Sequence, residues 1–285
     1  RLTEQRWEAV RVFEQRDPAC LPSHLQQIGL RALARDHALE QIAGISTLQF
    51  GELPSGSGLV IAGIAADTTA IAAHRDIFKR SLEVAHELNA DLLRVFTFLR
   101  TPHPAEPAKQ QRVIEHLHGL VALAAGSGIR LGVENEHSCL AATADETLAI
   151  LAPLPADRVG AIWDPCNVLY VPGAAPATPA DLVRLAPRLF HLHVKDAVRH
   201  TTHTSGSAHI AAGTPVGLGE VNWTAHLRAL RTTGYSGLLS LETHWRLEKI
   251  DEKLLHLPAG HAFSHGGEVA SRTCLHNLKS LLETL

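Results

Sequence analysis

Short apolar runs alternate with longer amphipathic stretches along the 285 residues of this chain, and no other feature narrows the fold as much. Seven runs read as strands: Ala9–Phe13, Ile42–Phe50, Leu92–Phe98, Arg130–Glu134, Val159–Asp164, Leu189–Lys195 and Leu238–Glu242. Each is short and mostly aliphatic or β-branched, as in strands buried on both faces. Between and after them the pattern predicts helices over Ser23–Leu39, Asp67–Leu88, Pro104–Ala125, Ala144–Leu151, Pro179–Ala186, Trp223–Thr232 and Val269–Leu285. Asp67-Thr68-Thr69 reads as a helix start, and Thr178 as an N-cap with proline at the first helical position.

Seven β–α units in series predict a parallel α/β fold, one unit short of a (β/α)8 barrel, which takes roughly 250 residues. No linker divides the chain, so residues 1–285 are expected to form a single barrel domain. Only eight residues precede Ala9, too few for a strand and a helix. The expectation is therefore a TIM (β/α)8-type barrel lacking its first β–α unit, with Arg1–Arg6 as the tail of the lost helix. The absence of methionine is consistent with this. An open, doubly wound seven-stranded sheet is the alternative. Thr201–Gly219 and His256–Gly267 read as long loops that follow strands, where the functional loops of α/β folds sit.

Composition removes several classes of function. With 45% hydrophobic and 19% charged residues the chain is globular rather than disordered. A net charge of −3 supplies no basic field for a phosphate backbone, so no nucleic-acid partner is expected. The longest apolar stretch, Gly58–Ala66, is half of what a membrane span needs, and no membrane partner is expected. The N-terminus has no secretory apolar region. The four cysteines, Cys20, Cys139, Cys166 and Cys274, make no CxxC pair, and a reducing cytoplasm with free thiols is the expectation. Histidine, at 19 residues, is abundant enough to suggest that some have a task.

Four consecutive strands end on metal-ligand residue types: Glu134 in GVENEH, Asp164 in IWDPCN, His193 in HLHVKD and Glu242 in SLETHW. The carboxyl ends of barrel strands are where active sites are built. In the run HLHVK, His191, His193 and Lys195 share one strand face while Leu192 and Val194 share the other. The apolar pair suits the helix side, so the polar row faces the lumen. A buried polar row survives in a fold when it meets a ligand, a metal or a hydrogen-bond network. Three carboxylates and one imidazole form a hard donor set, suited to manganese, magnesium or cobalt, with zinc compatible. One such divalent ion would acidify a C–H beside a carbonyl. Glu134 and Glu242 could then flank that carbon, one removing a proton and the other returning it.

Other residues carry two readings each. His137 suits a substrate hydroxyl, a base or a solvated loop. Lys195 suits an enediolate oxygen, a phosphate or a structural ion pair. His191 is either behind the ligands or a core hydrogen-bonder. Trp163 and Trp245 suit sugar stacking or core packing, the latter favoured. Gly217-Leu218-Gly219 is a weak phosphate cue. Cys139 and Cys166 read best as inert thiols, and His200, His203 and His209 as solvated loop residues.

The four ligand motifs resemble the xylose-isomerase-like TIM barrels, in the sugar phosphate isomerase/epimerase branch that also contains endonuclease IV (AP endonuclease family 2). The resemblance covers nearly the whole chain and includes the PVGLGEVNW turn and the Gly-Glu-Val-Ala-Ser start of the last helix. It implies metal ligation by Glu134, Asp164, His193 and Glu242, with the two glutamates as the acid/base pair of an epimerase. Where endonuclease IV has a second histidine shortly after the aspartate, this chain has Asn167, and Thr201–Gly219 holds no Asp-x-His pair. A trinuclear zinc site and DNA repair are therefore not expected, and Asn167 joins His137, His191 and Lys195 as a candidate substrate contact. The expectation is a cytoplasmic, manganese-type isomerase or epimerase of carbohydrate metabolism. It would bind one divalent ion and act on a small sugar, keto-sugar or sugar phosphate through an enediolate. A lyase or dehydratase on the same scaffold and a non-catalytic barrel are the alternatives, and homo-oligomerisation is left open.

Overall fold

The computed structural model describes residues 45–46, 68–87, 90–100, 107–199, 211–248 and 267–285. Among them, β1 (Ile45–Ser46), β2 (Leu92–Val95), β3 (Arg130–Glu134), β4 (Val159–Trp163), β5 (Leu189–Val194) and β8 (Leu239–Leu241) form one sheet. Every neighbouring pair in it is parallel. The spatial order follows the sequence order, so the sheet advances in one direction as a barrel wall does. Helices α1 (Thr68–Glu87), α2 (Pro107–Leu123), α3 (Ala144–Leu151), α4 (Pro179–Leu185), α5 (Trp223–Thr232) and α6 (Gly267–Glu283) supply the crossovers and the last layer.

Helix starts follow local chemistry. Thr178 caps α4 with proline next to it, and Asp181 completes a reciprocal capping box. Thr143 and Glu146 do the same for α3.

Two apolar clusters lie on opposite sides of the sheet. The larger packs helices against the outward residues of the strands: Leu93, Val95, Leu131, Val133, Ala161, Trp163, Leu192 and Val194. The smaller consists of Leu92 and Ile162 with Phe190 against them. By strand alternation Leu92 shares a face with Arg94, and Ile162 with Asp164. This small cluster is thus the apolar layer beneath the polar strand ends. Its third member is supplied by a register shift between β4 and β5, after which Ile162 pairs with His191. A bulge of this kind re-aims side chains and lets Phe190 join the inner layer.

The region read as one long loop contains a strand. β6 (Asp196–Arg199) and β7 (Ala211–Thr214) form a two-stranded antiparallel ribbon rising from the end of β5. Its small residues AAGT carry no alternating signal, which is why the pattern hid it. Gly213 is needed there, since a Cβ would lie 2.8 Å from the Trp245 backbone nitrogen. The expected strands Ala9–Phe13 and Ile42–Phe50 (beyond 45–46) and helix Ser23–Leu39 lie outside the described residues. So do the expected lack of a first unit, the loop His256–Gly267 except Gly267, which opens α6, and Cys20, His200, His203 and His209. Among the described residues no helix is long and apolar enough to cross a membrane.

Candidate metal centre

Glu134 is the last residue of β3, Asp164 directly follows β4, His193 lies in β5 and Glu242 directly follows β8. One ligand atom from each lies within 4.8 Å of all the others. A single ion about 2.1–2.4 Å from each donor would span separations of that size. Glu134, Asp164 and His193 are buried, and the Glu242 side chain is 18% exposed.

Each candidate ligand is held by the backbone or by a neighbour. Asn135 locks β3 to β4: its Oδ1 accepts from the Asp164 amide at 2.6 Å and its Nδ2 donates to the Asp164 carbonyl at 2.8 Å. The Cys166 and Asn167 amides donate to Asp164 Oδ1 at 2.8 and 3.3 Å. Asp164 Oδ2 is left over. Lys195 Nζ stands 2.9 Å from it, yet no donor meets this buried oxygen in hydrogen-bonding geometry. A buried carboxylate oxygen with no hydrogen-bond donor, in a residue grouped with three other candidate ligands, suits a cation site, and the hard donor set fits a divalent ion.

Two buried cations balance the carboxylates. Arg94 Nη1 donates to Glu134 Oε2 at 2.6 Å and lies 3.5 Å from Glu242 Oε1. Lys195 Nζ donates to Glu242 Oε2 at 3.0 Å. His193 Nδ1 lies 3.0 Å from Glu134 Oε1 and 3.4 Å from Glu242 Oε2, between the two glutamates. Burial works against a charge on His193, but Glu134 and Glu242 outweigh it and hold the ring up at about 10. Burial pushes Asp164 up to about 6, with Lys195 opposing. Burial would also raise Glu242, but Lys195, His193 and Arg94 hold it well below the usual carboxylate range. Lys195, despite its burial, is kept charged by Asp164 and Glu242.

Lys195 is fixed from behind. The Trp223 indole donates to its carbonyl at 3.0 Å. The next residue, Asp196, accepts backbone N–H groups from Ala197, Gly217, Gly219 and Val221 at 2.9–3.1 Å. The PVGLGEVNW segment is therefore a backbone clamp around one carboxylate, and a Cβ at Gly219 would collide with that carboxylate.

The remaining candidates are placed as follows. His191 is 2% exposed, bonds Ser240 Oγ at 2.7 Å and meets His193 edge to face at 5.4 Å, directly beneath it. Burial, His193 and Arg94 hold its pKa well below the usual value. Asn167 commits its amide nitrogen to the Asn135 carbonyl at 2.8 Å. His137 is 44% exposed at the rim, paired with Glu136 and stacked at a tilt on Tyr170. Trp163 and Trp245 pack with the outer core. Cys139 and Cys166 are buried free thiols, pushed up by burial, Cys139 to about 12. Sequence reading missed Arg94, Asn135 and Glu136. Arg94 had a readable signal, a charge inside the apolar run LLRVF at the parity of the strand's inner face.

The chain belongs to the xylose isomerase-like TIM barrel family, whose profile matches residues 9–263. No curated protein sequence matches it significantly. Solved structures with the same fold include an IolI protein crystallised with a binding zinc atom, at 15% identity and a TM-score of 0.60, covering 84% of this chain and 75% of that one. A D-allulose 3-epimerase from Methylomonas sp. in complex with D-allulose shares 18% identity at a TM-score of 0.57, covering 75% and 71%. A xylose isomerase-like TIM barrel protein from Mycobacterium smegmatis in complex with magnesium also shares 18% identity at a TM-score of 0.57, covering 95% and 86%.

Proposed function

We propose that this chain is a divalent-metal-dependent isomerase or epimerase of a small sugar, keto-sugar or sugar phosphate. One observation carries the reading: four strand ends bring four ligand atoms within 4.8 Å of one another in a largely buried cluster. The similar structures with zinc, magnesium and D-allulose support the same direction. Glu134, Asp164, His193 and Glu242 would hold the ion, which supplies Lewis acidity toward a carbonyl and its neighbouring hydroxyl. Glu134 and Glu242 both reach His193, from different strands, so they can stand on two sides of a carbon between them. One takes the proton and the other returns it. Arg94 and Lys195 hold the two carboxylates fixed in direction. Lys195 also places a positive charge beside any oxygen that gains charge as the proton leaves.

Glu134→Gln and Glu242→Gln, assayed on ketoses, keto-acids and inososes with metal restored, are each expected to abolish turnover while circular dichroism stays unchanged. Full activity in either variant contradicts the two-glutamate mechanism. An unsaturated product in the wild-type assay would replace isomerisation by elimination on the same scaffold.

A further inference from the structure

Arg94 has more donors than its protein partners use. Its side chain is 2% exposed, and Nη1 is engaged by Glu134 and Glu242. Nε and Nη2 are buried and have no hydrogen-bond partner among the described residues. Leaving buried donors of a charged group unmatched is costly, so their persistence calls for a ligand. The two atoms are not an arbitrary pair. They form the side-on edge of the planar guanidinium, two parallel N–H groups spaced for the two oxygens of a carboxylate. The group is also held in place: Glu134 anchors its far end at 2.6 Å, and its carbon lies 5.1 Å from the Phe96 ring centroid. Because Nη1 touches the ligand carboxylates, the free edge lies within a guanidinium's width of the candidate reaction centre.

We propose that the Nε/Nη2 edge of Arg94 binds a carboxylate of the substrate, so that the site takes a small keto-acid or keto-uronate in preference to an uncharged ketose. This deepens the metal-dependent carbohydrate reading above and rests on it. Arg94 then has two tasks, holding Glu134 with one nitrogen and selecting the substrate with the other two.

The test compares D-fructose with D-fructuronate, the same six-carbon ketose with a carboxylate at its far end. Binding to the Mn²⁺-loaded full chain is measured by calorimetry, with Mn²⁺ affinity measured in parallel. The wild type is expected to prefer the uronate at least tenfold. Arg94→Lys keeps a positive charge beside Glu134 but has no bidentate edge, and the preference should fall to near unity while Mn²⁺ still binds. Should Arg94→Lys fail to fold, Arg94→Gln serves in the same comparison. Equal binding of the two ligands by the wild type overturns the inference, as does a preference that survives the substitution. A loss of Mn²⁺ affinity that weakens both ligands alike also overturns it, and leaves Arg94 a positioning residue for Glu134. In these three outcomes metal-dependent binding of either sugar keeps the carbohydrate reading standing. Binding of neither ligand, with metal shown to be loaded, overturns that reading and the inference with it.

Discussion

Trp163 and Asp164 are neighbours in the chain and both fully buried, yet they belong to different halves of the molecule. Trp163 lies among helices with Val133, Leu192 and Val194. Asp164 lies among Lys195, His193 and two glutamates. The outward side gains stability simply by leaving water. The inward side is stable only while every charge has its counterpart, because an unpaired buried charge is penalised. One face of the sheet holds the fold and the other stores electrostatic stress next to the candidate metal centre.

Truncating the outward side should give the largest effect. Trp163→Ala is expected to cost about 3–5 kcal/mol of unfolding free energy, read from urea melts. The loss should be the same with chelator and with metal, because no ligand is touched. Lys195→Met attacks the inward side. Without metal it should cost about 3 kcal/mol, since Asp164 and Glu242 lose their shared cation. Added Mn²⁺ should return part of that loss, and a metal-independent loss would erase the contrast between the two faces. His193→Ala should lower Mn²⁺ affinity more than the roughly 100-fold that losing an outer partner costs, read by calorimetry.

The smallest effect is a slope. Held up at about 10 by the two glutamates, His193 carries a proton at neutral pH. An ion that binds the ring must expel this proton, so metal affinity should rise by about tenfold per pH unit between pH 7 and 8, and more steeply toward pH 6, where Asp164 at about 6 also gives up a proton. Both limits lie below the His193 value, so the slope should not level off within that window. A flat profile would mean that His193 is not a ligand.

Much of this organisation is legible in the chain because strand alternation is local. GVENEH, IWDPCN, HLHVKD and SLETHW each place a ligand type at a strand end without reference to the rest of the fold. What stays hidden depends on contacts between distant segments. Arg94 belongs to the site because β2 lies beside β3, with Arg94 level with Gly132 and so two residues below Glu134. Asn135 reads as one more loop residue until its two bonds to Asp164 are seen. Asp196 follows Lys195 in sequence, but its four backbone partners include three from 21 to 25 residues further on. The β6–β7 ribbon is hidden for a related reason, since alanine, glycine and threonine in β7 give no period of two.

The most direct measurement is solvent deuterium uptake. The protein is stripped with chelator, reloaded with Mn²⁺, Co²⁺ or Mg²⁺, and incubated in D₂O with ketoses, keto-acids and inososes. The account predicts metal-dependent exchange at a carbon beside a carbonyl, lost in both Glu134→Gln and Glu242→Gln. Exchange that persists without metal, or no exchange from folded and metal-loaded protein on any member of the panel, would contradict it.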